Sequence, residues 1–198
     1  MSDQQMRFYS IFCSISYLQK EKRPKQILSF TLLDNYNGDE SCLYVNEDSK
    51  VLIYIIRGTN NIKDLLTDLS IVTGTEKYSK RYLQELKRYN IMKNAFIGYK
   101  ICLTGHSLGG RLCIALTRAQ PDSIHKTFAY NTGSSPIHMV ESMKDMVTCK
   151  IRPNNNICKS RKKIILFNGS KDIISLFSAF ESSNVTYTKG FHSINQFL

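Results

Sequence analysis

Thr104-Gly105-His106-Ser107-Leu108-Gly109-Gly110 places a serine between two glycines, each two residues away. That spacing suits a nucleophile held on a sharp strand-to-helix turn. Side chains two positions either side would collide as strand and helix pass each other, and glycine has none. The flanking segments agree. Tyr99–Thr104 reads as a short apolar strand stopped by Gly105, and Leu108–Ala119 reads as a helix ended by Pro121. On such a turn the Ser107 hydroxyl is presented for attack on a carbonyl carbon. The Leu108 N–H then lies at a helix start, where free donors and the helix dipole meet a developing oxyanion.

A second segment lies upstream. Val51–Ile56 is a β-branched run that reads as a buried strand, followed by Arg57-Gly58-Thr59 and then by Ile62-Lys63-Asp64-Leu65-Leu66-Thr67-Asp68-Leu69. Residues 104–110 resemble the T-G-H-S-L-G-G of the class 3 lipases, the fungal triacylglycerol lipase-like family. Residues 57–69 resemble that family's R-G-[ST] and the N-W-x-x-D-L segment after it. The resemblance covers residues 45 to 195, with only these motifs sharp, and describes a short divergent member. It implies an α/β-hydrolase fold. It also implies that Thr59, through its backbone N–H and hydroxyl, shares an oxyanion hole with Leu108 N–H, and that Asp68 is a structural residue near a lid. Read without the family, Thr59 is an ordinary cap for a following helix. The family's tryptophan is Leu65 here, the chain has no tryptophan, and no H-x-G-F precedes the long helix.

In hydrolases with this elbow the acid and then the histidine follow the nucleophile along the chain. Of the histidines at 106, 125, 138 and 192, His106 adjoins the nucleophile and points elsewhere. His125 follows the post-nucleophile helix too closely, and His138 precedes the strand expected to carry the acid. His192, in Gly190-Phe191-His192-Ser193, lies after a further strand and is the candidate base. The candidate acid is Asp172, after the strand Lys163–Phe167, in a loop that also resembles the family's G-x-x-x-D. Asp145 is the fallback and reads better as a charge on a surface helix.

These residues need elements to place them. Strands over 51–56, 99–104, 127–130, 163–167 and 185–188 alternate with helical stripes over 62–72, 76–92, 108–119 and 140–146. Such alternation predicts one α/β domain over residues 1–198, with a mostly parallel central sheet and helices on both faces. Functional groups in that architecture collect at the carboxyl ends of the strands, where every candidate above falls. Residues 62–72 carry an apolar face (Ile62, Leu65, Leu66, Leu69) that suits either ordinary core or a lid opening at a lipid surface.

Composition narrows the setting. With 42% hydrophobic and 22% charged residues the chain is of ordinary globular type. No apolar run is long enough for a membrane span and no signal peptide opens the chain, so an intracellular, cytoplasmic protein is expected. The six cysteines form no C-x-x-C pair, which offers no zinc site and leads to an expectation of reduced thiols. No metal or cofactor is implied. The net charge of +11 would draw the surface to anionic partners, and a peripheral contact with an anionic membrane fits it. No nucleic-acid-binding signature is present, so nucleic acid is not expected as a partner.

The expected function is a serine carboxylic ester hydrolase for lipid esters, with a small-ester esterase or an acyl-protein thioesterase as alternatives. A catalytically inactive protein binding anionic membranes or nucleic acid is the alternative of another class. Oligomeric state is not readable.

Overall fold

The computed structural model describes residues 3–59, 80–172, 176–182, 184–190 and 193–198. The candidate lid at 62–72, Asp68 and His192 therefore lie outside the described residues.

Among the described residues, eight strands form one mixed sheet in strictly sequential order. β1 (Gln26–Ile27), β2 (Phe30–Leu32) and β3 (Ser41–Asn46) pair antiparallel and lead into β4 (Val51–Ile56). From β4 the sheet is parallel through β5 (Lys100–His106), β6 (Ile124–Tyr130), β7 (Ile164–Gly169) and β8 (Asn184–Thr188). Among the described residues the α-helices are α1 (Asp3–Ile15), α2 (Lys80–Ala95), α3 (Leu108–Ala119), α4 (Pro136–Ile151) and α5 (Asn156–Lys163).

Parallel strands that follow in sequence order, joined by right-handed crossovers, place their helices on one face of the sheet. α2 and α3 meet that face. Tyr82, Tyr89 and Met92 of α2 and Leu112, Ala115 and Leu116 of α3 share a core with Leu52, Tyr54, Ile56 and Leu103. The alternate strand residues point the other way, as the two-residue period requires. Ile53 and Ile55 join Phe12 and Ile15 of α1, and Phe128 and Tyr130 join Met6 and Cys13. Tyr9 stacks flat on Phe128 at 3.6 Å between ring centroids.

The N-terminal helix is thus what covers the second face, together with the last turn at Ile194–Phe197. Sequence pattern placed the first element at Val51 and missed α1 and the antiparallel strands β1–β3. β1 and β2 are only two and three residues long, too short for a periodic signal, and what holds them is pairing to a neighbour. α4 spans 16 residues, well beyond the expected turn or two at 140–146, and α5 was read only as a basic run.

One chemical expectation is corrected. Cys149 and Cys158 are joined by a disulfide, with Cα atoms 5.4 Å apart, across the turn between α4 and α5. The helical hairpin brings them together; nothing in a nine-residue separation without a C-x-x-C pattern signals it. The other four, Cys13, Cys42, Cys102 and Cys113, are free and buried.

Candidate active site

Ser107 occupies the turn between β5 and α3 with φ +59° and ψ −126°, a conformation that side-chain-bearing residues rarely adopt. The turn is held from both sides. Ser107 N donates to Tyr130 O at 2.9 Å, and Ser107 O accepts from Arg111 N at 3.0 Å as the first bond of the helix. Although Ser107 is the N-cap residue, its side chain makes no capping hydrogen bond. In the usual extended cap conformation the hydroxyl would be spent on the helix N–H groups. Here the left-handed φ turns it away from them.

Two glycines make the turn possible by close approach. A Cβ on Gly105 would come within 2.5 Å of Gly109 C, and one on Gly109 would run into Ile56 O. The second contact seats the end of β4 directly against the elbow. Gly58 follows there, and a Cβ on it would lie 3.4 Å from Ser107 Cβ. Thr59 comes next, half-buried, and its Oγ1 is sealed from solvent with no hydrogen-bond partner among the described residues. Buried hydroxyls are nearly always paired, so an open one beside the candidate nucleophile is notable. The backbone before it is fixed: Arg57 N donates to Glu40 O at 2.9 Å, and Arg57 O accepts from Arg81 Nη2 at 3.2 Å.

Ser107 is 2% exposed, and Leu108, at the start of α3, is also buried. Asp172 is 5% exposed, in a turn beyond β7 closed by Asp172 N to Gly169 O at 3.0 Å. That turn is tied to the segment leading to residue 192. Ser170 N donates to Thr188 O at 2.7 Å and Lys171 N donates to Gly190 O at 3.0 Å.

Asn131 completes this frame, and sequence reasoning overlooked it. Fully buried at the end of β6 with φ +42°, it donates its N–H to Phe167 O at 2.8 Å. Its Oδ1 accepts from Gly169 N at 2.7 Å, and its Nδ2 donates to Ser193 O at 3.4 Å. One side chain therefore joins β6, the start of the acid turn and the residue after His192. The available signal was an asparagine directly after a buried strand, a residue type that tolerates left-handed backbone.

The remaining candidates lie elsewhere. His106 Nδ1 is 2.9 Å from Tyr17 Oη, whose hydroxyl burial pushes far above its usual range. His125 sits near the amino end of β6, opposite the elbow, and burial there pushes its pKa down. His138 is buried on α4 and its Nδ1 accepts from Ser135 N at 3.0 Å, a helix-capping bond. Asp145 lies 3.4 Å from Arg118. Arg118 stands at the far end of α3, about 15 Å along the helix from the elbow. Among the described residues, no three His, Cys, Asp or Glu side chains gather closely enough to hold a metal ion. No described helix is long and apolar enough to cross a membrane.

No family model and no curated protein sequence matches this chain. Solved structures do match. Lip2 lipase from Yarrowia lipolytica aligns over 93% of this chain and 77% of its own at 16% identity, with a TM-score of 0.59. Lipase II from Rhizopus niveus aligns over 98% and 84% at 13% identity, with a TM-score of 0.60. A triacylglycerol lipase from Penicillium expansum aligns over 96% and 82% at 12% identity, with a TM-score of 0.54. At such identities the likeness speaks for the fold. Over most of its length, this chain has the α/β-hydrolase fold found in the fungal class 3 lipases.

Proposed function

We propose that this protein is a serine carboxylic ester hydrolase acting on lipid esters, with Ser107 as nucleophile, His192 as base and Asp172 as the orienting acid. The observation that carries the reading is the backbone of Ser107: a buried serine held at φ +59°, with its hydroxyl withheld from helix capping. Strain of that kind costs about 1–3 kcal/mol and persists where surrounding structure enforces it. The two glycine contacts and the Tyr130 carbonyl supply that enforcement.

In the mechanism, His192 takes the Ser107 proton as Oγ attacks the ester carbonyl carbon. The tetrahedral oxyanion is met by Leu108 N–H at the start of α3 and by Thr59 through its N–H and hydroxyl. His192, now protonated and stabilised by Asp172, passes its proton to the leaving alcohol as the C–O bond breaks. Water then attacks the acyl-enzyme, with His192 again as base, and releases the acid and free Ser107. The ties from Lys171 to Gly190 and from Asn131 to Ser193 bracket residue 192 and support this assignment.

Hydrolysis of p-nitrophenyl esters from acetate to palmitate tests the proposal, with wild type beside Ser107→Ala and His192→Ala. Long-chain turnover should fall by about four to six orders of magnitude in either variant. A fluorophosphonate probe should label Ser107 in the wild type alone. Turnover confined to short chains would make the protein an esterase, and near-wild-type turnover in Ser107→Ala would place the nucleophile elsewhere.

A further inference from the structure

α4 is packed with its polar side inward. At 3.6 residues per turn, positions 138, 142, 145 and 149 fall along one line and positions 140, 143, 147 and 151 along the opposite one. The inward line reads His138, Ser142, Asp145, Cys149, and its groups are bonded to the body of the protein. Arg118 Nη2 donates to Ser142 Oγ at 3.2 Å and pairs with Asp145 at 3.4 Å, and Cys149 is held to Cys158. The outward line reads Val140, Met143, Val147, Ile151, with Val147 58% and Ile151 72% exposed. Ile137 and Met146 extend the same exposed surface. A surface helix ordinarily shows the opposite arrangement.

The edges of this apolar stripe are basic. Lys144 and Lys150 flank it, both exposed, and Arg152 stands at its end. The helix's acidic residues lie off the stripe: Asp145 faces Arg118, and Glu141 borders the same recess with Arg118 and Lys144. We propose that this face of α4 is a docking surface for an anionic lipid bilayer. The charge decides among occupants. A second copy packed symmetrically would set Lys144 and Lys150 against their own counterparts, in a chain of net charge +11. A nucleic-acid backbone would satisfy the lysines but leave the apolar stripe against phosphate. A bilayer with acidic head groups takes both, the apolar line entering the head-group and acyl boundary and the lysines meeting the anionic surface.

Docking does not use Ser107, so binding and hydrolysis are read separately. In Ser107→Ala protein, flotation with phosphatidylcholine vesicles and with vesicles containing about 30% phosphatidylserine should show binding to the anionic set, weakening as salt rises. V140E/V147E, at exposed positions, should cut that binding by about tenfold or more. K144E/K150E should weaken it and flatten its salt dependence. Both pairs placed in the chain bearing Ser107 should leave soluble short-chain ester turnover unchanged. Equal flotation of V140E/V147E and the parent, or no flotation of the parent, would overturn the proposal. Self-association in sedimentation equilibrium that V147E abolishes, without vesicle binding, would assign the face to a second copy. Vesicle binding that responds to the variants without any ester turnover would uphold docking and refute the hydrolase reading.

Discussion

Arg111 and Glu181 form an ion pair with neither side chain exposed, Nη1 to Oε1 at 2.5 Å, between the helix that starts at Ser107 and the turn that follows Asp172. Arg111 stands one turn beyond Ser107, and its backbone N–H makes the first bond of α3 to Ser107 O. Glu181 also lies 3.7 Å from Arg118, and the neighbouring Phe180 O accepts from Arg161 at 2.7 Å. The helix after Ser107 and the end of the segment after Asp172 are therefore clamped through charge.

Such a clamp is costly to break from one side, because the partner is left charged in the core. Arg111→Leu or Glu181→Leu alone should destabilise by about 3–5 kcal/mol, whereas the double variant should recover a large part of the loss. Urea denaturation of all four proteins measures the coupling. Additive single losses would mean the two charges are not acting as a pair.

Ser107 itself is a site where activity and stability pull apart. Glycine adopts φ +59° without strain and alanine does not. Both variants lack the hydroxyl proposed as nucleophile, yet Ser107→Gly should be more stable than Ser107→Ala by about 1 kcal/mol, after the unfolded-state entropy of glycine is offset. Thermal melts of the pair decide it, and equal midpoints would argue that the turn is not strained.

The open hydroxyl of Thr59 gives a kinetic prediction. If it meets the oxyanion, Thr59→Ala should lower kcat by about a hundredfold, near 3 kcal/mol of barrier, with KM little altered. Thr59→Ser keeps the hydroxyl and should retain most of the activity. An effect confined to KM would assign the residue to substrate binding.

The cysteines predict a titration. Burial pushes the Cys42 thiol up to about 12 and raises Cys102 and Cys113 as well, so none should react with a thiol reagent while the protein is folded. Unfolding without reductant should release four thiols, and reduction all six. Because the folded pKa of Cys42 exceeds its ordinary 9.0, the unfolded chain loses that proton first. The corresponding stability is complete below pH 9.0 and is lost as pH rises toward about 12. A urea midpoint that holds steady through that window would count against a buried Cys42 thiol.

Much of the parallel half was legible because its signals are local. Val51–Ile56 and Ile164–Phe167 are apolar on both faces and strand-length, and the paired glycines around Ser107 have few uses other than a tight strand-to-helix crossing. Asn131 was missed because its role is to join the ends of β6 and β7 to Ser193, and no window of sequence contains all three. The pattern over 140–146 marks only the middle of α4, because the side that packs inward bears the polar His138 and Ser142, with Asp145 facing Arg118, and so carries no apolar stripe.

Sequence alone determined the strands from Val51 onward, the serine on its strand-to-helix turn and the chemistry such a turn can support, since each follows from residue size and period along a continuous stretch. Tertiary structure decided the rest. It chose α1 to cover the second face, set Gly58 against Ser107 and closed Cys149 on Cys158. It also turned the apolar side of α4 outward. Each of these depends on contacts between segments distant in the chain, whose energies are realised only when the sheet has brought them together.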